Sequence, residues 1–218
     1  MHQVIKIFDK DKALAYREQL KSRTFADGAA TYLGNTEKMK SNTEFHPDVN
    51  DQFRIDLQRD FQSVPEVAQF CMPYKILGPF VNRYADGDFY GKHVDNVEMQ
   101  GPTRIDISFT LFLSDPDEYE GGDLELDVGS EPALVKLPAG QAIFYPAGTM
   151  HQVMPVTAGE RLCAVGWMQS RVRDPHKRQM LYELNTAVDT YIREHGMDET
   201  GLSLQSVRGK LTQMWVEY

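Results

Sequence analysis

The chain has little cysteine, little tryptophan and too little positive charge to balance its acids. Two cysteines, Cys71 and Cys163, cannot build the bridged framework of a small secreted domain, so reduced buried thiols are the expectation. Lysine and arginine number 23 against 32 aspartates and glutamates, a formal net charge of −9. That deficit excludes the broad basic surface that sequence-independent binding of DNA or RNA requires, and no nucleic-acid partner is expected. No uninterrupted apolar stretch approaches the ~20 residues of a membrane-spanning helix, so no membrane partner is expected either. The opening residues carry Lys6, Asp9, Lys10 and Asp11 without an apolar run, so no secretory signal is visible and a cytoplasmic location follows as the expectation. Internal repeats, a Walker-type phosphate loop and a dinucleotide fingerprint are absent too.

The material that is present suits a globular protein. Of 218 residues, 41% are hydrophobic and 25% charged, enough for one domain with a helical annex. Val4, Ile5 and Ile7 read as an opening strand. Residues 10–22 read as a surface helix capped by Asp9, with Leu14, Arg17 and Leu20 on one side. Residues 25–42, rich in Gly, Ala, Ser, Thr and Asn, read as a loop or irregular strand long enough to be a flap. Val49, Phe53, Leu57 and Phe61 recur every four residues, a core-facing helical stripe. Ser63-Val64-Pro65-Glu66 then restarts a helix, with Ser63 as cap and Glu66 completing a capping box.

From Tyr74 the texture changes to short strands between Gly, Pro and Asp punctuation, over 76–84, 88–94, 104–113, 122–127, 132–136, 141–145, 150–154 and 160–169. Strands at this spacing predict a double-sheet jelly roll. Along 105–113, Ile105, Ile107, Phe109, Leu111 and Leu113 would meet a covering helical layer. Asp106, Ser108, Thr110 and Phe112 would line the inside, where polar groups need partners. Two helical stripes close the chain: Leu181, Leu184, Val188, Tyr191 and Ile192, then Leu204, Val207, Leu211, Met214, Trp215 and Tyr218, separated near 196–201. The fold class is therefore mainly β with helices (α+β). It divides into an N-terminal helical layer at 1–73, a jelly-roll core at 74–171 and a C-terminal helical extension at 172–218.

Within the core, His93 and Asp95 form a His-x-Asp pair, whose side chains at i and i+2 on a strand point the same way. Such a pair alone is common by chance. His151 follows the turn Pro146-Ala147-Gly148 and supplies a third ligand type, completing two histidines and one carboxylate, the facial set that suits Fe(II) with open positions. Ten residues on, Arg161 shares a strand face with Cys163, Val165 and Trp167; pointing inward, it needs an anion. Charge balance selects that anion. Asp95 cancels one of the two positive charges of Fe(II), and a chelating 2-oxo acid cancels the other. A second, distant carboxylate then balances Arg161, which a dicarboxylate such as 2-oxoglutarate provides and a monocarboxylate does not.

These residues resemble the Fe(II)- and 2-oxoglutarate-dependent dioxygenases, specifically the prolyl/lysyl-hydroxylase-domain (PKHD-type) hydroxylases. The resemblance runs through Tyr84-x-x-Gly87-x-x-Tyr90-x-x-His93-x-Asp95, Phe109 to Ser114, Glu120-Gly121-Gly122-Asp123-Leu124, Leu137-Pro138-Ala139-Gly140, His151, Arg161 and Trp167. It continues into Arg173-Asp174-x-x-Lys177-Arg178-x-x-Leu181-x-Glu183-Leu184. It implies that His93, Asp95 and His151 bind Fe(II), that Arg161 holds the far carboxylate of 2-oxoglutarate, and that Tyr84 assists it. Thr110 would line the same co-substrate site, with Tyr90 and Trp167 on the substrate side. It implies the use of O2, L-ascorbate as reductant, release of succinate and CO2, and hydroxylation of an unactivated C–H bond in a small-molecule or peptide substrate, such as a prolyl residue or a free amino acid. A homodimer is implied as well. Where some related enzymes carry Ser or Thr two residues after the arginine, this chain has Cys163, a weak hydrogen-bonding substitute; Thr110 or Ser108 is the expected compensation. Gly121 and Gly122 are expected to serve tight turning and close packing. Segments 25–45 and 96–103 are the expected substrate lid. Two other readings use the same residues: a non-catalytic 2-oxoglutarate or oxygen sensor, and a zinc site in a hydrolase.

Overall fold

The computed structural model describes residues 2–31, 39–96, 98–99 and 103–217. The chain opens with β1 (Gln3–Lys6), α1 (Lys10–Leu20), β2 (Ala26–Asp27), β3 (Lys40–Ser41), β4 (Thr43–Phe45), α2 (Gln52–Ser63) and α3 (Pro65–Cys71). A long run of strands follows: β5 (Pro73–Tyr84), β6 (Phe89–His93), β7 (Glu98–Met99), β8 (Thr103–Arg104), β9 (Ile107–Phe112), β10 (Tyr119–Gly121), β11 (Leu124–Leu126), β12 (Ala133–Val135), β13 (Gln141–Pro146), β14 (His151–Val153), β15 (Val156–Gly159) and β16 (Arg161–Ser170). Helices α4 (Pro175–His195) and α5 (Glu199–Trp215) end it.

Two antiparallel sheets make the jelly roll. The larger has the order β1-β13-β9-β16-β5-β4-β2 and the smaller β12-β11-β14-β6-β3. Their inner faces share one apolar cluster, in which Phe112, Tyr145 and Cys163 of the larger sheet meet Leu124, Leu126 and Val153 of the smaller. The outer face of the larger sheet is covered by α1, α2 and α3. Phe53, Leu57 and Phe61 of α2 are fully buried there against Ile107, Phe109 and Leu111 of β9. The rings of Phe61 and Phe109 lie 4.5 Å apart. Alternation along β9 thus works as its sequence predicts, with 107, 109 and 111 toward the helices and 108, 110 and 112 toward the interior. Ile105 and Asp106 depart from this pattern, because both precede the strand: Ile105 packs with Leu77, Ala147 and Trp167, and Asp106, expected inside, accepts from Arg104 Nε and the Ser170 N–H at 2.8 Å instead.

All eight sequence-expected strands are present, with 104–113 divided between β8 and β9. Residues 1–73 are not purely a helical layer. Here β1 pairs with β13 at one edge of the larger sheet, β4 pairs with β5, and β3 pairs with β6 of the smaller sheet. Residues 40–41 and 43–45, expected as part of a loop or lid, are therefore strand, and with Asn42 between them they join the two sheets along one side. Earlier in that expected lid, Ala26 and Asp27 of β2 pair with Glu44 and Thr43 of β4, while residues 32–38, and residues 97 and 100–102 of the second lid segment, lie outside the described residues; Glu98 and Met99 pair with Arg104 and Thr103.

Several helical details differ for local reasons. Helix α1 buries Ala13, Tyr16 and Leu20, while Leu14 faces out, because Tyr16 reaches down to donate its hydroxyl to Asp60 at 2.7 Å. Val49 precedes the first turn of α2, which Asp51 caps, and so it stays exposed. Ser63 makes no cap for α3. Its hydroxyl donates back to the Asp60 carbonyl as the last residue of α2, leaving Val64 at the N-cap. Pro65 opens α3, where a missing N–H costs little. In the C-terminal pair, Leu181 and Val188 are buried but Val207 and Met214 are exposed, so the α5 stripe is only partly covered. Among the described residues, no helix is long and apolar enough to cross a membrane.

The burial difference predicts a stability difference. Phe61→Ala should cost about 3–5 kcal/mol, the usual penalty for emptying a buried aromatic site. Val49→Ala should change stability by less than about 0.5 kcal/mol. Urea unfolding midpoints of the two variants check both values, and similar midpoints would contradict the packing described.

Candidate active site

The interior of the roll holds one large cavity of about 510 Å³, lined by His93, Asp95, His151 and Arg161 together. Strand pairing brings the two histidines side by side, since His151 of β14 is directly opposite His93 of β6. The next pair in register is Val153 with Tyr90, so β6 carries one extra residue there. In a regular strand, residues three apart point to opposite faces; the bulge cancels this and turns Tyr90 and His93 to the same side. Their rings stack at 3.7 Å.

Asp95 lies two residues past His93, just beyond the end of β6. Its Oδ1 is 3.9 Å from His93 Nε2 and 3.8 Å from His151 Nε2. Ligand atoms of the three residues lie within 4.8 Å of one another, a spacing that can hold one metal ion. The imidazoles are oriented for it. His93 Nδ1 donates to the Gly91 carbonyl at 2.8 Å and His151 Nδ1 to the Thr149 carbonyl at 2.9 Å, which leaves each Nε2 lone pair toward the centre. Burial, and then the neighbouring His151, bring His93 down to about 4, so it presents a neutral, metal-ready ring near neutral pH.

Arg161 opens β16 opposite Tyr84 of β5 and is fully buried. Its guanidinium sits between the Tyr84 and Phe112 rings, 5.2 and 5.1 Å from their centroids. Nη1 donates to Cys163 Sγ at 2.9 Å. Burial pushes the Cys163 thiol up, so it faces the arginine uncharged. Nε and Nη2 are buried and make no well-formed hydrogen bond, and the buried Tyr119 phenol, a neutral group, is their polar neighbour rather than a carboxylate. A buried charge left this way costs several kcal/mol, so the site is built to receive an anion. Burial likewise raises Tyr84 and keeps it a neutral phenol.

The turn at Gly121-Gly122 shapes this end. Both glycines have φ of 66°, and a Cβ on Gly122 would lie 3.1 Å from Arg161 Cδ, so the turn gives the arginine stem its room, in keeping with the close packing expected of it. Thr110, Tyr90 and Trp167 also line the cavity. Ser108 does not compensate for Cys163, because its hydroxyl donates to Asp95 Oδ2 at 2.5 Å. Thr110 is directed to the buried Tyr145 hydroxyl.

One wall was missed from sequence. Lys40 and Glu44, both buried, form an ion pair on the cavity, and Glu44 Oε2 bonds His46 Nε2 at 2.9 Å. Burial alone would raise Glu44, but His46 and Lys40 outweigh it and hold the carboxyl low. Residues 40–44 read Lys-Ser-Asn-Thr-Glu, polar at every position, so no alternation of polar and apolar residues marked this stretch as a strand.

Residues 79–169 match the model of the 2OG-Fe(II) oxygenase superfamily. A PKHD-type hydroxylase of Shewanella frigidimarina is 35% identical over 220 residues, 97% of each chain. The PKHD-type hydroxylase YbiX of Escherichia coli is 34% identical over 225 residues, covering 100% of this chain and 99% of its own. In three dimensions, a prolyl-4-hydroxylase of Pseudomonas putida superposes with a TM-score of 0.59 at 18% identity, over 78% of this chain and 92% of that one, a likeness of fold. With relatives of this identity matched from end to end around a His-Asp-His centre, the chain belongs to the PKHD-type hydroxylases of the 2OG-Fe(II) oxygenase superfamily, enzymes that use Fe(II), 2-oxoglutarate and O2.

Proposed function

We propose that this enzyme hydroxylates an unactivated C–H bond in an amino-acid substrate, a prolyl or other residue of a peptide or a free amino acid, and releases succinate and CO2 from 2-oxoglutarate. The observation that carries this reading is the buried, anion-deficient Arg161 in the same cavity as the three-ligand centre. His93, Asp95 and His151 would hold the iron. Arg161 would pair with the distal carboxylate of 2-oxoglutarate through Nε and Nη2, with the neutral Tyr84 hydroxyl beside it and Thr110 on the adjoining wall. Iron with 2-oxoglutarate and O2 supplies the oxidising power for C–H hydroxylation. The chain's own part is placement and exclusion of water. Aromatic walls around Arg161 strengthen its grip by removing solvent, and the bulge in β6 fixes His93 under Tyr90. Tyr90, Trp167 and the Lys40–Glu44–His46 wall lie on the substrate side. A zinc hydrolase would leave Arg161 without a role, which favours the oxygenase. L-Ascorbate as reductant and a cytoplasmic location rest on family resemblance and composition. A homodimer through the C-terminal helices is supported by the exposed Leu202, Val207 and Met214 of α5.

The direct test is succinate formation by purified protein supplied with Fe(II), 2-oxoglutarate and air, against a panel of free amino acids and prolyl- or lysyl-containing peptides. Stimulation by one member is the expected result; no succinate with any member would favour the sensor reading. Arg161→Ala should raise the KM for 2-oxoglutarate at least about thirtyfold, equivalent to ~2 kcal/mol, the lower range for removing one partner of a buried charge pair. Its metal affinity should stay unchanged, and calorimetry with Mn(II) under argon separates the two effects. Light scattering at micromolar concentration should give twice the chain mass; a monomer rejects the dimer.

A further inference from the structure

Asp95 is the one member of the three-residue centre that no strand holds. His93 and His151 sit opposite each other in the smaller sheet, and their ring nitrogens are tied to main-chain carbonyls. Asp95 follows the end of β6, where the chain has left the sheet. What holds its carboxylate comes from the other side of the roll. Ser108 is in β9, hydrogen-bonded on one flank to β13 and on the other to β16, opposite Tyr145 and Trp167. It is 1% exposed, and its hydroxyl donates to Asp95 Oδ2 at 2.5 Å. The two carboxylate oxygens are thereby divided. Oδ2 is engaged by Ser108, while Oδ1 faces both histidine Nε2 atoms at 3.8–3.9 Å.

We propose that Ser108 is a positioning residue that holds Asp95 as a one-oxygen metal ligand, so that the second oxygen stays off the metal. The inference rests on the iron-centre reading above. Its physical basis is a count of positions. Two imidazoles and one carboxylate oxygen leave three sites of an octahedral ion open, and a carboxylate free to rotate can take one of them with its second oxygen. A hydroxyl anchored in the middle of a sheet prevents that rotation at the cost of one neutral donor. It also fixes the ligand's direction where main chain does not, the task that partners outside the coordination sphere perform in metal sites generally.

The isosteric pair Ser108→Thr and Ser108→Val separates the hydroxyl from packing, since both add the same bulk at a buried site. Titration of the full-length apoprotein with Co(II), followed by its visible absorption, reads affinity and coordination geometry without any turnover. S108T should keep the affinity and spectrum of the unaltered protein. S108V should bind Co(II) about 10- to 100-fold more weakly, the usual range for losing a partner of a metal ligand, with an altered spectrum. Equal affinities and spectra for the two variants would overturn the role of Ser108. If both variants fail to fold, Ser108→Cys, close in size but a weak donor, takes the place of S108V, and binding equal to the unaltered protein overturns the role in the same way. Unaltered protein that takes up no Co(II) would overturn the metal-centre reading itself, a result distinct from equal binding by the variants.

Discussion

A full positive charge buried without a protein counter-charge governs the interior of this roll. Arg161 is shut between two aromatic rings, with one bond to an uncharged thiol and two buried nitrogens left over. Leaving a charge in that state opposes folding, so neighbouring features make sense as accommodation for an incoming anion. The glycine turn gives the stem space, β5 presents Tyr84, and the cavity opens toward the metal ligands. On the proposed reading, a co-substrate carrying two carboxylates would relieve the charge at one end while chelating at the other, coupling binding and chemistry by electrostatics.

Holding that geometry falls to the larger sheet. Phenylalanines of α2 and β9 interlock on its outer face, so the strand bearing Ser108 and Thr110 inside is packed rigidly from outside. Each apolar contact on one face of β9 fixes a polar side chain on the other, because successive side chains alternate. The smaller sheet is shorter and carries the histidines. Its connection to the larger sheet through residues 40–45 puts an ion pair on the cavity wall, where substrate would meet it. A buried ion pair such as Lys40–Glu44 adds little net stability by itself.

Much of this was legible in the residues. The alternation at 107–113 told the helix-facing set from the interior-facing set, whereas Ile105 and Asp106, ahead of the strand, did not follow it. Spacing and charge picked out His93, Asp95, His151 and Arg161, and the structure gathers all four around one cavity. Short local rules were less secure. Ser63 is placed as a cap by its sequence, yet it ends α2 instead; Val49 fits the four-residue stripe, yet it falls before the helix begins. In each case one hydrogen bond set the boundary: the Ser63 hydroxyl donates back to the Asp60 carbonyl, and the Asp51 carboxylate caps α2 by accepting from the Phe53 N–H.

The sequence by itself determined the periodicities and the chemical types, because side-chain alternation and ligand chemistry are properties of single segments. It therefore specified the jelly roll, the kind of metal centre and the need for a dicarboxylate. Tertiary structure alone decided which polar group met which. Ser108 went to Asp95 rather than to Arg161, Thr110 to Tyr145, and residues 40–45 became a wall rather than a flap. Those choices depend on distances across two sheets and on one extra residue in β6, and a linear pattern carries neither.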